Sequence, residues 1–189
     1  MKKFLGILVL ILFTLQAPSW ADDIRDFQIE GISIGDSALE YYTESKINSY
    51  EKEYYKNKKF FKITIHTKKS TYDTLGLTFK SKDKKYIMHG INGALTLDNI
   101  KSCHKKQNEI KKELDEIFIS NAKKDTGKHP GYKDSTYIRY TYYLSDGAQA
   151  EVICYDMSKK LEKKGKWDSL YVSLASVEYK KFLTHEAYK

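Results

Sequence analysis

Two cysteines in 189 residues are too few for a disulfide-dense scaffold, and they are not spaced as Cys-x-x-Cys, so a thioredoxin-like redox motif is excluded. After Leu15 no apolar run approaches the roughly 20 residues that a membrane helix needs. The five histidines, His66, His89, His104, His129 and His185, never form His-x-x-x-His or His-Glu-x-x-His, which leaves metal-assisted hydrolysis without its ligand pattern. A glycine-rich phosphate loop, an RNP-like block and zinc-finger spacing are missing too. The expectation is a chain with no cofactor, no metal and no nucleic-acid partner.

What is present begins with a leader. Met1, Lys2 and Lys3 form a positive head, residues 4–15 an apolar stretch, and Ser19-Trp20-Ala21 a small-residue cleavage site, so residues 1–21 read as a cleaved signal peptide. No cysteine follows the cleavage point, which argues against a lipid anchor. Residues 22–189 then form a single domain that is periplasmic or secreted. Losing Lys2 and Lys3 lowers the net charge from +8 to +6. Lysine pairs recur at 58–59, 68–69, 84–85, 105–106, 111–112, 123–124, 159–160 and 163–164, spread as solvated faces are.

In an exported chain, Cys103 and Cys154 read as a disulfide. Closing a loop of that length stabilises the fold by up to about 4 kcal/mol in the loop-entropy model. Residues 100–118 carry Ile100, Cys103, Gln107, Ile110, Leu114, Ile117 and Phe118 three and four apart, an amphipathic helix with Asp98 as its expected N-cap. Three alternating runs precede it, at 60–66, 71–80 and 85–97, and three follow, at 136–144, 148–155 and 170–177. Gly90 and Gly93 suggest a bulge or bend in the third run, with Asn92-Gly93 as an alternative tight turn, and Asp146-Gly147 marks a hairpin. Residues 121–135 read as an exposed loop, and the tail after Glu178 as either a strand extension or a short helix. Ahead of the first run, a strand near 27–29, a turn over 31–35 and a helix capped by Asp36 or Ser37, broken near Thr43, form a short helical unit. The fold class is α+β: a mainly antiparallel sheet of about six strands, βββ-α-βββ, packed by one long amphipathic helix. The bridge would staple that helix to the strand of Ala150, Val152 and Cys154.

Gly31-Ile32-Ser33-Ile34-Gly35 satisfies the nucleophile-elbow pattern G-x-S-x-G, but only about nine mature residues precede it, too few to build the sheet an elbow stands on. Gly35-Asp36-Ser37-Ala38-Leu39 resembles the opening block of the GDSL (SGNH) hydrolases, which implies a serine hydrolase with Ser37 as nucleophile. That family completes its site with Asp-x-x-His, whereas Asp125 and His129 here are one residue further apart and His185 has no such aspartate. The pattern Phe27-x-Ile29-x-Gly31-Ile32-Ser33-Ile34-Gly35-Asp36-Ser37 resembles the opening of small exported bacterial proteins known mainly as uncharacterised families, and it brings no catalytic residues. A similar strand, turn and helix opens envelope accessory domains of the outer-membrane assembly type.

Tyr137 to Tyr143, interleaved with Arg139, read as the water-facing half of a sheet, with base or sugar stacking as the alternative. The expected function is that of a non-catalytic binding or envelope accessory domain whose partner is an envelope protein or an anionic surface. The GDSL-like hydrolase using Ser37 and a polyanion-binding protein are the alternatives.

Overall fold

Glu30 and Gly31 both take positive φ, 54° and 77°. This is the conformation a two-residue hairpin needs, and it joins β1 (Gln28–Ile29) to β2 (Ile32–Ser33). The computed structural model describes residues 23–68, 70–118 and 122–187, so the leader read at 1–21 lies outside the described residues. Beyond the hairpin, Ser37 closes a capping box with Glu40 around one 3-10 turn, and Thr43 caps α1 (Glu44–Asn48). The broken helical unit read from the sequence is therefore present, although its first half is a single turn.

The main sheet is built by β3 (Glu53–Tyr54), β4 (Phe60–His66), β5 (Thr74–Lys80) and β6 (Gly90–Thr96) before α2 (Ile100–Ile117). It continues with β7 (Lys123–Lys128), β8 (Thr136–Tyr143), β9 (Gln149–Asp156), the single turn α3 (Lys159–Glu162), β10 (Ser169–Ala175) and α4 (Val177–His185). Strand order is β3-β4-β5-β6-β10-β9-β8-β7. Every neighbouring pair is antiparallel. Two four-stranded meanders thus meet where β6 and β10 pair, from Gly90↔Ala175 to Thr96↔Ser169.

The α+β class and the antiparallel sheet agree with the sequence reading, but among the described residues the sheet has eight strands where about six were expected. The two additional strands are its edges. β3 is two exposed residues long, and β7, Lys-Lys-Asp-Thr-Gly-Lys, has no apolar side chain, so neither carries the alternation that marks a buried strand. The two-residue length of β3 and the lysines of β7 also discourage pairing with other chains. Six of the fifteen residues read as a loop at 121–135, Lys123–Lys128, are therefore strand.

Three smaller corrections share one cause, contacts that the linear pattern does not show. The third run starts at Gly90 because Tyr86 takes a φ of 49° and Ile87 bridges to Ser37 instead. Asn99, not Asp98, caps α2 by accepting from Ser102 N. Gly90 and Gly93 neither bulge nor turn: a Cβ at either would lie 2.6 Å from an aromatic ring, Tyr179 over Gly90 and Tyr72 over Gly93, so they are sites of close approach. The tail forms a helix, α4, capped by Ser176.

One face of the sheet carries the main core. The N-terminal unit buries Ile24, Ile29, Ile32, Ile34, Ala38 and Ile47 against Phe61, Ile63, Leu75, Leu77 and Phe79. α2 covers β9 and β10, with Cys103 and Gln107 buried beneath it. Cys103 and Cys154 are disulfide-bonded with their Cα atoms 5.9 Å apart, which ties helix to strand as the sequence suggested. Gln107 Nε2 donates to Ile138 O at 2.8 Å and Val152 O at 3.0 Å, giving its buried amide two partners on adjacent strands. At the end of α2, Phe118 stacks between Phe27 and Tyr142, at 4.6 and 4.7 Å, and closes the core between the N-terminal unit and β8.

Replacing both cysteines with serine should lower the unfolding free energy by about 2–4 kcal/mol in urea titrations, because the crosslink removes disorder from the unfolded chain. A loss below about 1 kcal/mol would mean that packing alone holds α2.

Candidate functional site

Because side chains alternate along a strand, the residues of β9 divide between two environments. Ala150, Val152 and Cys154 are buried on the α2 side. Gln149, Glu151, Ile153 and Tyr155 fall on the other face, where neither α2 nor the N-terminal unit lies. Register extends this second face across the sheet in rows. One runs Thr64, Gly76, Asn92, Ser173, Glu151, Thr141, and the next His66, Thr74, Ala94, Tyr171, Ile153, Arg139, Asp125. Most of these side chains are half-buried, as expected of a sheet surface without a second layer.

Toward the β7 edge this open face carries a ladder of rings. Tyr137 and Tyr155 are cross-strand partners 6.3 Å apart, Tyr155 meets Tyr171 edge-on at 5.4 Å, and His129 lies 4.5 Å from Tyr155 and 4.9 Å from Tyr132. Lys166 sits over the Tyr132 ring at 5.5 Å, and Trp167 beside it in the chain is 53% exposed. A groove of about 440 Å³ follows the β7–β8 edge past Gly127 and Tyr137. Burial pushes the Tyr155 phenol up to about 12 and raises that of Tyr171, so both remain neutral hydroxyls over the physiological range. His129 accepts from Gly131 N through Nδ1 at 3.0 Å, which places the proton of the neutral ring on Nε2.

An ion network lies alongside. Arg139 pairs with Asp125 at 2.5 Å and approaches Glu151 at 3.5 Å, Tyr137 donates to Asp125 at 2.9 Å, and Thr141 donates to Glu151 at 3.1 Å. Hydrogen bonds from Tyr137 and then Arg139 hold the Asp125 carboxyl below its usual range. The network links β7, β8 and β9 beside the ring ladder.

At the opposite end, α4 folds back onto the open face. Phe60 of β4 packs with Ala175, Tyr179, Phe182 and Ala187, and Tyr55 and Tyr179 join through their hydroxyls. Between α4 and the sheet lies a cavity of about 130 Å³ whose lining includes Asn92, Gln149, Glu151, Ser173 and Tyr179. Gln149 is 4% exposed, and its Oε1 is buried without a hydrogen-bond partner.

The residues singled out from the sequence fall elsewhere or take structural roles. Ser33 is buried in β2, so the G-x-S-x-G segment forms a strand and not an elbow. Ser37 Oγ donates to Lys85 O at 2.6 Å and accepts from Leu39 N at 3.2 Å, which commits the hydroxyl to capping. Asp125 belongs to the Arg139 network and His129 to the ring ladder. Among the described residues no cluster of three or more His, Cys, Asp or Glu side chains is placed to hold a metal ion, and no helix is long and apolar enough to cross a membrane. The ladder was visible in the sequence only as Tyr137 to Tyr143. The structure divides that run, placing Tyr137 and Arg139 on the open face and burying Tyr142 against α2, where its hydroxyl donates to Asp115 at 2.7 Å. Compared with known proteins, the chain matches no family model, no curated protein and no solved structure.

The face also sets a pH dependence. His89 lies under the start of α4, with Nδ1 3.2 Å from Ser176 Oγ and 3.9 Å from Glu178, and its ring packs on Phe60. Burial and then Lys80 lower its pKa below the ordinary 6.5, outweighing Glu178 and Asp83, and burial lowers that of His129 as well. The folded chain therefore binds fewer protons than the unfolded one near that pH. Stability should be full above 6.5 and fall as pH drops through it toward the lower folded values. Urea midpoints measured across this range should decline on acidification, with a shallower slope in His89→Gln; a midpoint that rises would contradict the assignment.

Proposed function

We propose that the chain is an exported, non-catalytic binding domain that engages an envelope component through the open face of its sheet. The observation that carries the reading is the ladder of His129, Tyr132, Tyr137, Tyr155 and Tyr171, rings in mutual contact on the face opposite the disulfide-tied helix. Neutral, half-buried aromatic rings bearing hydroxyls offer flat apolar area and hydrogen bonds together, the combination that recognition surfaces use. The leader-like residues 1–21 and the disulfide support a periplasmic or secreted setting. The opening pattern from Phe27 to Ser37 keeps the family reading at small exported bacterial proteins.

Of the two expected partners, an envelope protein and an anionic envelope surface, the largely uncharged ladder favours the protein. A purified mature chain should co-sediment with washed bacterial envelopes, and Tyr132→Ser with Tyr137→Ser should weaken the affinity about thirtyfold, since each lost aromatic contact is worth about 1 kcal/mol. Unchanged sedimentation of a variant whose melting curve matches the parent would remove the ladder from the interface.

The two alternatives separate cleanly from this reading. A hydrolase acting through Ser37 would be labelled by a fluorophosphonate probe and would lose the label in Ser37→Ala; the capping role of the hydroxyl leads us to expect no labelling of either protein. A polyanion-binding protein working through its lysine pairs would be retained on heparin with a steep decline as salt rises. Weak, nearly salt-independent retention is expected here, because the lysines are spread over the surface and the ladder is largely uncharged.

A further inference from the structure

Of the two edges of the sheet, β3 is two residues long and β7 six, so β7 is the edge with room for another strand. Its pairing with β8 runs unbroken from Lys123↔Thr141 to Lys128↔Thr136. The pair that follows fixes which backbone groups stay open. His129 N donates to Ser135 O at 2.9 Å, so by antiparallel alternation Lys123, Asp125 and Gly127 also turn their N–H and C=O groups toward β8. Lys124, Thr126 and Lys128 turn theirs outward, and all three residues are exposed. The Thr126 N–H also leans toward the Asp125 carboxylate, the least of that carboxylate's contacts. A row of outward donors and acceptors is what strand addition uses: main-chain bonds supply the affinity, and alternate side chains select the strand.

The side chains beside those groups describe the strand that fits. Among the described residues Lys123, Lys124 and Lys128 form no ion pair, whereas Asp125 is held by Arg139 and Tyr137. The edge is therefore net positive. Lysines that deter an ordinary strand, and above all a second β7, attract an acidic one. Register places Lys124, Thr126 and Lys128 on the same face as Ile138, the α2 side of the sheet. Thr126 lies between the two lysines and, with Thr136 and Ile138, lines the shallow groove of about 440 Å³; half-buried Ile138 gives that groove an apolar floor. On the other face the Tyr137 ring lies over Gly127, where a Cβ would come within 3.0 Å of its hydroxyl, so the ring ladder reaches the edge itself.

Resting on the reading of an exported domain with an envelope-protein partner, we propose that β7 receives an acidic extended segment of that partner as an added strand, antiparallel like every other pair in the sheet. The segment carries two carboxylates four residues apart, opposite Lys128 and Lys124, and midway between them a small apolar side chain, opposite Thr126 and against Ile138.

The test is a titration of the ¹⁵N-labelled mature chain with the peptide acetyl-Ser-Glu-Thr-Val-Thr-Glu-Ser-amide. Saturable shifts are expected at the backbone amides of Lys124, Thr126 and Lys128, with slowed hydrogen exchange at the same positions. Thr126→Pro removes an outward N–H and leaves the bonds to β8 intact, so it should abolish binding and keep the melting curve of the parent. Lys124→Glu with Lys128→Glu should weaken binding at least about tenfold and should instead bind the peptide with lysines in place of its glutamates; it serves as the second readout should the proline variant fold poorly. Methylating the valine nitrogen keeps the charge of the peptide and removes a main-chain donor, and should abolish binding. Equal affinity for the methylated peptide would mean attraction of charge alone, as for any polyanion, and would overturn the proposal. So would the absence of saturable shifts, undiminished binding by a folded Thr126→Pro, or the same shifts on concentrating the chain without peptide, which would assign the edge to a second copy. Envelope sedimentation keeps the two readings apart: sedimentation without peptide shifts removes the edge proposal alone, and peptide shifts without sedimentation of the parent remove the envelope reading alone.

Discussion

The alternation of side chains along β9 is the constraint on which the rest of the molecule depends. Ala150, Val152 and Cys154 must face α2, because Cys154 is bonded to Cys103 and Val152 O accepts from the buried Gln107 amide. With those three fixed inward, Gln149, Glu151, Ile153 and Tyr155 have no choice but the open face. A slip of one residue would turn the disulfide away from the helix and drive Glu151 and Tyr155 into the core, so register here is strongly specified. The same strand thus writes the core on one side and the candidate site on the other.

The pairing of β6 with β10 spreads that decision over the whole sheet. It joins two meanders that each end in a weak edge, β3 and β7, and it brings Asn92 and Gly90 from the first meander beside Ser173 and Ala175 of the second. The cavity exists only at this seam. α4 follows β10 directly and returns over it, so the element that roofs the cavity also buries Phe60 and closes the smaller core. Tyr179 belongs both to that smaller core and to the lining of the cavity.

Much of the scaffold was legible in the residues, and the reason differs from element to element. α2 announced itself because Cys103, Gln107, Ile110 and Leu114 recur at helical spacing, and the hairpin at Asp146-Gly147 because its turn needs residues that tolerate positive φ. β7 did not, since an edge strand is recognised by pairing with β8 and not by a buried side of its own. Gly90 and Gly93 suggest bends in the sequence because a glycine demanded by a ring from another element looks there like one demanded by the backbone. Ser37 attracted attention as a nucleophile, yet its hydroxyl is satisfied by Lys85 O, forty-eight positions away in the chain.

The chain by itself determined the class of fold, the helix that covers one face and the pair of sulfurs that fastens it, because period, turn chemistry and cysteine count act locally or by elimination. Tertiary structure alone decided that His129, Tyr132, Tyr155 and Tyr171 form one surface, that Arg139 is shared between Asp125 and Glu151, and that Gln149, its Oε1 buried without a partner, comes together with Tyr179 in the lining of one cavity. Those groups come from different strands, from the β7–β8 connection and from α4, and their meeting depends on strand order and register. Neither quantity leaves a periodic trace in any single stretch of sequence, so the site became visible only once the meanders were joined.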